Sequence, residues 1–327
     1  MYLMALNSYR KFNHRGAMHT SDSSDVFNQI HIDVARNATD DFNLFHDRNR
    51  WLRINHNPFN GPIALGFQLE SLLEHKVFLY RQHHNENALI SDKNLRFSNY
   101  QFSFVNAVKP GQVVSVDIKK SQLKEDPETI LSNRITVKSG GALALLGYKK
   151  ESKFALFLTN PDVPQFGALN QHPDRSFISG SSFFLKRKFI TTSNAKNFLC
   201  GSLVDQDAFF DPFKNKAVFP EIFPCSLISS ALLEKAVIEK HDFERNPLVY
   251  MSHKISIDRT YLAQLKSGDA LYILIRQIPP ESRKEGIGHA IDSPYHYECY
   301  GLMEDKTILY RALISLAPLE QILNTLK

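Results

Sequence analysis

One pattern occurs twice in this sequence, and the repeat limits the possible folds more than any other feature. The tripeptide Ala-Arg-Asn at 35–37 recurs as Ala-Lys-Asn at 195–197, a spacing of 160 residues. At the same spacing, the mostly apolar stretch 62–74 recurs at 222–234, and both stretches end in Leu-Leu-Glu. The first match predicts a leading helix, and the second predicts a long helix that is buried on most sides. Pro62 fits the first position of that helix, where its missing N–H costs nothing.

A third landmark follows in the same order at a spacing of 157 residues. Gly111 precedes the β-rich run 113–119, and Gly268 precedes the similar run 270–276. Each half therefore has a leading helix, an irregular loop, a buried helix and then antiparallel strands. Further strands are predicted at 97–104, 129–138, 249–257, 296–302 and 307–316. This order predicts an α+β fold in which an antiparallel sheet wraps around the buried helix.

The repeat also predicts how the chain divides into domains. We expect an N-terminal arm at 1–25, a first domain at 26–150, a linker at 151–175 and a second domain at 176–327. Three of the 15 prolines fall in the linker, where a turn-rich composition favours a connection. A length of 327 residues suits two domains of roughly 150 residues each.

Composition excludes several classes of protein. A hydrophobic fraction of 43% with 24 Phe and 12 Tyr supplies a large core, so the chain is not disordered as a whole. The formal charge of +5 is not concentrated in a long basic run, and nucleic acid is not an expected partner. No apolar run reaches 18 residues, so no membrane span is predicted. Three cysteines without a Cys-x-x-Cys motif predict a reducing, cytoplasmic environment.

The sequence predicts neither a cofactor nor a metal site. The Gly-Ile-Gly run at 286–288 lacks the third glycine of a dinucleotide-binding loop. Histidines are frequent between 46 and 84, but no pair at helical spacing is accompanied by a third, carboxylate ligand. His83 and His84 are expected in an exposed loop.

The residues suited to chemistry lie in the irregular loop of the first half. Asp41, Asn43 and His46 form a polar cluster between the leading helix and the buried helix. An Asp and a His that converge on one water can share the removal and the delivery of a proton. The same spacing also suits a loop organised by Asx turns and capping without catalysis. The cluster by itself leaves both interpretations open.

This loop resembles the signature of the MaoC-like hydratases, (R)-specific enoyl-thioester hydratases and dehydratases of the hotdog fold. The signature reads Gly-Asp-x-Asn-Pro-aliphatic-His, and Asp41, Asn43 and His46 match its Asp, Asn and His. The resemblance covers about residues 28–150 and includes the Pro-Gly turn at 110–111. Since the second half has the same layout without the motif, the chain resembles a double hotdog, in which two tandem hotdog domains form a fused pseudo-dimer.

The sequence departs from the family pattern at three positions. Asp40 stands where the family has Gly, Leu44 where it has Pro, and Leu65 where a His usually precedes the glycine of the helix. A spacing of 160 places Gly201 in the second half under Asp41. At most one active site per chain is therefore expected.

The resemblance implies a lyase of fatty acid metabolism that interconverts 2-enoyl and 3-hydroxyacyl thioesters of coenzyme A or acyl carrier protein. Asp41 and His46 would be the acid/base pair, and Asn43 would orient the loop and the substrate. Gly66 would let the thioester oxygen approach backbone N–H groups at the start of the helix.

Two alternatives to a hydratase stay open. A hotdog thioesterase needs a carboxylate near the helix start but no His. A catalytically degenerate module would bind acyl-CoA, acyl carrier protein or another protein without turnover. Because a fused pair supplies both halves of a hotdog dimer, a monomer and a homodimer are both compatible with the sequence.

Overall fold

The structure, a computed structural model, describes residues 25–161, 166–279 and 295–325. The predicted N-terminal arm, apart from Asp25, and the glycine-containing run at 286–288 lie outside the described residues. The domain boundaries given above stay predictions.

Helices and strands follow the predicted order in each half. The helices are α1 (Gln29–Thr39), α2 (Gly66–His83), α3 (Asn87–Asp92), α4 (Thr192–Gly201), α5 (Ile222–Ser226), α6 (Ile228–Ile238), α7 (Arg259–Leu262) and α8 (Leu319–Thr325). The strands are β1 (Asp25–Val26), β2 (Phe97–Phe104), β3 (Val113–Ile118), β4 (Gln122–Lys124), β5 (Ile130–Ser139), β6 (Ala142–Ser152), β7 (Ser176–Phe177), β8 (Phe184–Phe189), β9 (Phe210–Asp211), β10 (Lys216–Ala217), β11 (Leu248–Asp258), β12 (Ala270–Gln277), β13 (Tyr295–Leu302) and β14 (Ile308–Pro318). The predicted strands are confirmed, with ends that differ by no more than two residues.

One antiparallel sheet runs through both halves. Its order is β1-β3-β5-β6-β2 in the first half and β11-β14-β13-β12-β8-β7 in the second, with β4 beside β5. β2 and β11 join the halves, with Tyr100 opposite Ile255. The strands that follow the buried helices, β2 and β11, are therefore central. The strands that precede the leading helices, β1 and β8, lie at or near an edge. The predicted α+β architecture is confirmed.

The buried helices account for much of the core. In α2, Phe67 and Leu72 belong to the main hydrophobic cluster, while Glu70 and Glu74 on the same helix are also buried. The equivalent helix of the second half is divided at Leu227 into α5 and α6, and every residue of α5 is buried. Burial of carboxyl groups in such a position requires partners, because an isolated buried charge is very costly.

Pro62 does not begin the buried helix, contrary to the prediction, because α2 starts at Gly66. Backbone hydrogen bonds hold the preceding residues in an extended conformation. The Ile63 N–H donates to the carbonyl of Phe45 at 2.9 Å, and the Ala64 N–H donates to a carbonyl just ahead of β3 at 2.8 Å. The first bond ties the approach to α2 directly to the loop that contains Asp41, Asn43 and His46, the motif loop, and the second ties it to Val108.

The spacing between the halves is not constant, which displaces both of the matches predicted at 160 residues. The N-caps of the leading helices are 163 residues apart, and the starts of the buried helices are 156 residues apart. Gly111 and Gly268 are equivalent, as predicted, since both have a positive φ and both donate to the residue before the N-cap of a leading helix. At the ends of the leading helices, the N–H groups of Asp41 and Val204 both bond to the carbonyl five residues earlier. Val204, rather than Gly201, is therefore the counterpart of Asp41.

Gly201 instead lies where the two leading helices cross. A Cβ atom at Gly201 would lie 2.7 Å from the backbone N of Ala35 and 2.7 Å from the backbone O of His31. The side-chain amide of Gln68 donates to the Gly201 carbonyl. Contact between α1, α2 and α4 at this point depends on the absence of a side chain.

Gly201→Val is expected to lower the free energy of unfolding by about 2–3 kcal/mol. The added atoms meet the backbone of α1, which cannot rotate away, so the helices must separate. Gly61→Val is the matched control, because no atom of the described residues lies within 4 Å of a Cβ at Gly61. Denaturant titration of both variants measures the difference. Equal unfolding midpoints would show that the crossing tolerates a side chain.

A network of buried charges connects α2, the sheet and the start of α5. The hydroxyl of Tyr100 donates to Glu221 Oε2 at 2.6 Å, and Lys149 Nζ lies 3.1 Å from the same oxygen. Arg259 Nε donates to Glu221 Oε1 at 2.7 Å. Glu151 accepts from Lys149 at 2.8 Å and also pairs with Arg259. Residues of both halves thus share one set of ion pairs.

The two carboxyl groups nearest the start of α5 have opposite pKa shifts. Burial raises the pKa of Glu221, but the charges of Arg259 and Lys149 outweigh burial and hold this pKa below its usual range. Glu74 accepts the backbone N–H groups of Glu221 at 2.8 Å and of Ile222 at 3.0 Å. Burial and the charge of Glu221 together raise the pKa of Glu74 to about 8.

Candidate active site

The motif loop begins where α1 ends. Asp40 follows the helix in the left-handed conformation, with φ 54° and ψ 37°. This region favours glycine, the residue that the resembled signature has here, although Asp tolerates it better than most residues do. The Asp40 carboxylate is 70% exposed and pairs with Lys188 of the second half. Asp40 therefore does not form a carboxyl pair with Asp41.

Asn43 organises the loop. Its N–H donates to Asp41 Oδ1 at 3.0 Å, and its side-chain oxygen accepts the N–H of Phe45 at 3.1 Å. These Asx-type bonds cap the single 3₁₀ turn Leu44–His46, which carries the histidine. The Asn43 side-chain oxygen therefore stabilises the backbone of this turn.

His46 is held in one orientation by a backbone carbonyl. Its Nδ1 lies 2.8 Å from the carbonyl oxygen of Ile63. Because a carbonyl can only accept, the proton is placed on Nδ1, and the neutral ring has its lone pair on Nε2. His46 Nε2 faces Asp41 Oδ2 at 3.9 Å. This gap is too long for a direct hydrogen bond and suits one bridging water or substrate hydroxyl.

The start of α2 lies beside this pair, since Ile63 is three residues before Gly66. The aromatic ring of Phe104 covers Gly66, and a Cβ at Gly66 would come within 2.9 Å of that ring. Phe104 itself is half-buried. With the Phe104 ring in this position, any side chain at position 66 would clash with it, so the packing requires glycine.

A buried His–Glu pair that no sequence pattern indicated lies behind Gly66. His253 stacks on Phe67 with ring centroids 4.5 Å apart, and its Nδ1 lies 3.0 Å from Glu70 Oε1. Among the described residues, His253 Nε2 has no hydrogen-bond partner. The two side chains come from different halves, and no local motif could have identified them.

Tyr250 is a second residue near the site that no motif indicated. Its hydroxyl is 2.8 Å from the hydroxyl of Ser229. Burial, and after it the negative charge of Asp41, raise the pKa of Tyr250. The hydroxyl therefore keeps its proton at neutral pH and remains a hydrogen-bond donor close to Asp41.

Asp41 and His46 are almost closed off from solvent. Their side chains are 2% and 6% exposed. A cavity of about 1200 Å³ elsewhere in the protein is lined by neither of them. The structure brings the two predicted residues together beside Gly66, and the half-buried Phe104 covers the helix start.

His83 and His84, which were expected in an exposed loop, lie at the end of α2. His83 is the last residue of α2 rather than part of a loop, and His84 caps the helix end through its Nδ1, 2.7 Å from the carbonyl of Tyr80. In residues 25–161, 166–279 and 295–325, no three His, Cys, Asp or Glu side chains are grouped so that they could hold a metal ion. Over the same ranges, no helix has both the length and the apolar character needed to cross a membrane.

The fold is shared with solved structures, although no family model and no curated protein matches the sequence. A MaoC-like dehydratase aligns with 90% of this chain and 96% of its own, with a TM-score of 0.52 and 7% identity. A MaoC domain dehydratase from Chloroflexus aurantiacus aligns with 90% of this chain and 93% of its own, with a TM-score of 0.53 and 9% identity. A Mycobacterium tuberculosis protein described as a double hotdog aligns with 89% of this chain and 92% of its own, with a TM-score of 0.50 and 12% identity.

These similarities extend over both halves of the chain. The fold is a double hotdog, as the resemblance implied, and it is the fold of MaoC-like dehydratases. At identities of 7% to 12%, the shared property is the fold. Chemistry has to be argued from the residues of this chain.

Proposed function

We propose that this protein is an acyl-thioester hydratase or dehydratase that interconverts 2-enoyl and 3-hydroxyacyl thioesters of coenzyme A or acyl carrier protein. The observation that carries the proposal is the pair formed by Asp41 and His46. Two acceptors, a carboxylate oxygen and an imidazole nitrogen, face each other at 3.9 Å, and a carbonyl fixes the tautomer of the imidazole.

The pair can add water without any net consumption of protons. A water between Asp41 Oδ2 and His46 Nε2 donates one hydrogen bond to each acceptor. As its oxygen bonds to the β-carbon, one proton passes to the pair, and the pair then delivers a proton to the α-carbon. Dehydration runs through the same steps in reverse. The product configuration expected from the resemblance is (R).

The developing enolate oxygen needs donors. In this proposal the thioester oxygen approaches the backbone at the start of α2, where the N–H groups and the helix dipole favour negative charge. Gly66 has no side chain to block that approach. The Phe104 ring now occupies the space above Gly66, so it has to rotate away when a thioester binds.

Phe104→Ala is expected to raise kcat/KM severalfold for a ten-carbon 2-enoyl-CoA, because it removes the cover over Gly66. Phe189, on β8, is 60% exposed, and Phe189→Ala is the matched control, which should leave kcat/KM unchanged. Initial rates at several substrate concentrations give kcat/KM for each variant. A fall in kcat/KM for Phe104→Ala would mean that the ring holds the substrate rather than covering its site.

Hydration of crotonyl-CoA and of a ten-carbon 2-enoyl-CoA, followed as loss of enoyl absorbance, tests the proposal. We expect turnover of at least one substrate and a 3-hydroxyacyl product of (R) configuration. Release of free thiol without hydration would favour the thioesterase alternative. Absence of both reactions would reject the proposed activity.

A binding module without catalysis is the second candidate. The near-complete burial of Asp41 and His46 favours it, since a buried pair can also serve only to hold the loop. It predicts that acyl-CoA binds while no enoyl-CoA is consumed, and calorimetry beside the absorbance assay separates the two candidates.

A further inference from the structure

The cavity of about 1200 Å³ lies at the start of α5, which is the place in the second half that corresponds to the motif site of the first. It is lined by Phe209 and Glu221. Phe209 directly follows the 3₁₀ turn Gln206–Ala208, the equivalent of the turn Leu44–His46 in the motif loop. The second half has therefore kept an open space where the first half is closed.

Among the described residues, the second half does not repeat the Asp–His pair of the motif loop. Val204 takes the place of Asp41, as the helix ends show. The N–H groups of Glu221 and Ile222 at the helix start already donate to the carboxyl of Glu74. A thioester oxygen would find these donors occupied, so the cavity is suited to binding without hydration.

Charge selects the class of ligand. Seven Lys or Arg side chains and three Glu side chains line the cavity. Four of the seven cations are already in ion pairs: Arg81, Arg96, Lys149 and Arg259. Lys153 and Lys266 are exposed at its rim and form no ion pair with another described residue. Arg81 is 2% exposed and pairs with Glu151 through Nη1, while its Nη2 has no hydrogen-bond partner within the described part of the chain. An anionic group is the complement of this arrangement.

The walls between these charges are apolar. They are formed by Val77, Phe78, Ile90, Leu95, Phe209 and Leu265. A cavity of about 1200 Å³ is slightly larger than the usual small-molecule site, which has a volume of roughly 300–1,000 Å³. Such walls offer burial to a hydrocarbon chain or a ring.

We propose that this cavity is a second, non-catalytic site that binds an anionic amphiphile, a single apolar chain ending in a carboxylate or a phosphate-bearing group. The chain lies against the apolar walls, and the anionic group lies towards Lys153 and Lys266. The inference does not depend on turnover at Asp41 and His46, because it concerns a different cavity.

Calorimetric titration with dodecanoate and with dodecanoyl-CoA tests this site, and neither probe is an enoyl substrate. Lys153→Glu combined with Lys266→Glu should weaken binding at least about tenfold by reversing the charge at the rim. Ala263→Trp should have a similar effect by filling the cavity that Ala263 lines. The matched controls are Lys124→Glu combined with Lys138→Glu, and Ala142→Trp, all at exposed positions outside the cavity lining.

The two probes also distinguish the source of the anionic group. Binding of dodecanoate that the cavity variants weaken supports the site and shows that a carboxylate is sufficient. Binding of dodecanoyl-CoA alone, if the same variants weaken it, supports the site with phosphate as the recognised group. The proposal is overturned if neither probe binds. It is also overturned if binding survives Ala263→Trp and the double charge reversal but is lost in Phe104→Trp, which would place the ligand at the first half.

Discussion

Asp41→Asn is expected to lower kcat/KM for enoyl-CoA hydration by about 10²–10⁴, because the amide cannot accept a proton from water. The substitution is conservative for the fold, since the remaining side-chain oxygen can still accept the N–H of Asn43. His46→Ala should cause a loss of similar size by removing the second acceptor. Because the two residues act on one water, the double variant should lose little more than either single variant.

Matched controls separate catalysis from folding. Asp40→Asn removes the neighbouring carboxylate, which pairs with Lys188 on the surface, and should retain activity. His83→Ala removes an exposed histidine at the end of α2 and should also retain it. Unfolding midpoints of the four single variants and the double variant show whether a loss of rate follows from a loss of structure. Full activity in Asp41→Asn would rule out the proposed acid/base pair.

Glu221→Gln is expected to reduce the free energy of unfolding by about 3–5 kcal/mol, the usual cost of removing one partner from a buried ion pair. The amide keeps the size of the side chain but leaves Lys149 and Arg259 with Glu151 as their buried anion. In either orientation of the amide, its N–H₂ group faces a donor, the Tyr100 hydroxyl or Arg259 Nε. Equilibrium denaturation measures the effect.

Glu125→Gln is the control for Glu221→Gln. Glu125 pairs with Lys93 at 2.8 Å on the surface, where solvent screens the interaction, so no measurable change in stability is expected.

The folded pKa of Glu221 is depressed, so the contribution of Glu221 to stability is present above the ordinary pKa of 4.5 and is lost as pH falls. In acid, the free energy of unfolding of Glu221→Gln should therefore change less with pH than that of the unaltered protein. If Glu221→Gln lowers the free energy of unfolding by less than about 1 kcal/mol, as expected for a surface pair, the network contributes little to stability.

Sequence similarity between the halves identified some equivalent positions correctly and displaced others. The match at Gly111 and Gly268 was correct, because a positive φ makes glycine specific to one position. The match between the buried helices was displaced, since α2 begins at Gly66 and α5 at Ile222, a spacing of 156 rather than 160. An apolar helix resembles itself after each turn, so its residues cannot distinguish registers that differ by about four residues.

The sequence by itself determined the order of helices and strands, the double arrangement and the position of the polar loop. Asp41, Asn43 and His46 lie within six residues, and local turns bring them together. Short-range periodicity and turn chemistry are sufficient for such features because they depend on neighbouring residues.

Only the tertiary structure decided which distant residues meet. The pairs His253–Glu70 and Glu221–Lys149, the cover of Phe104 over Gly66 and the crossing at Gly201 join segments far apart in the chain. Each depends on how the halves pack across β2 and β11. A single sequence holds no local signal for such contacts, because they arise from packing of whole elements rather than from the order of residues within one.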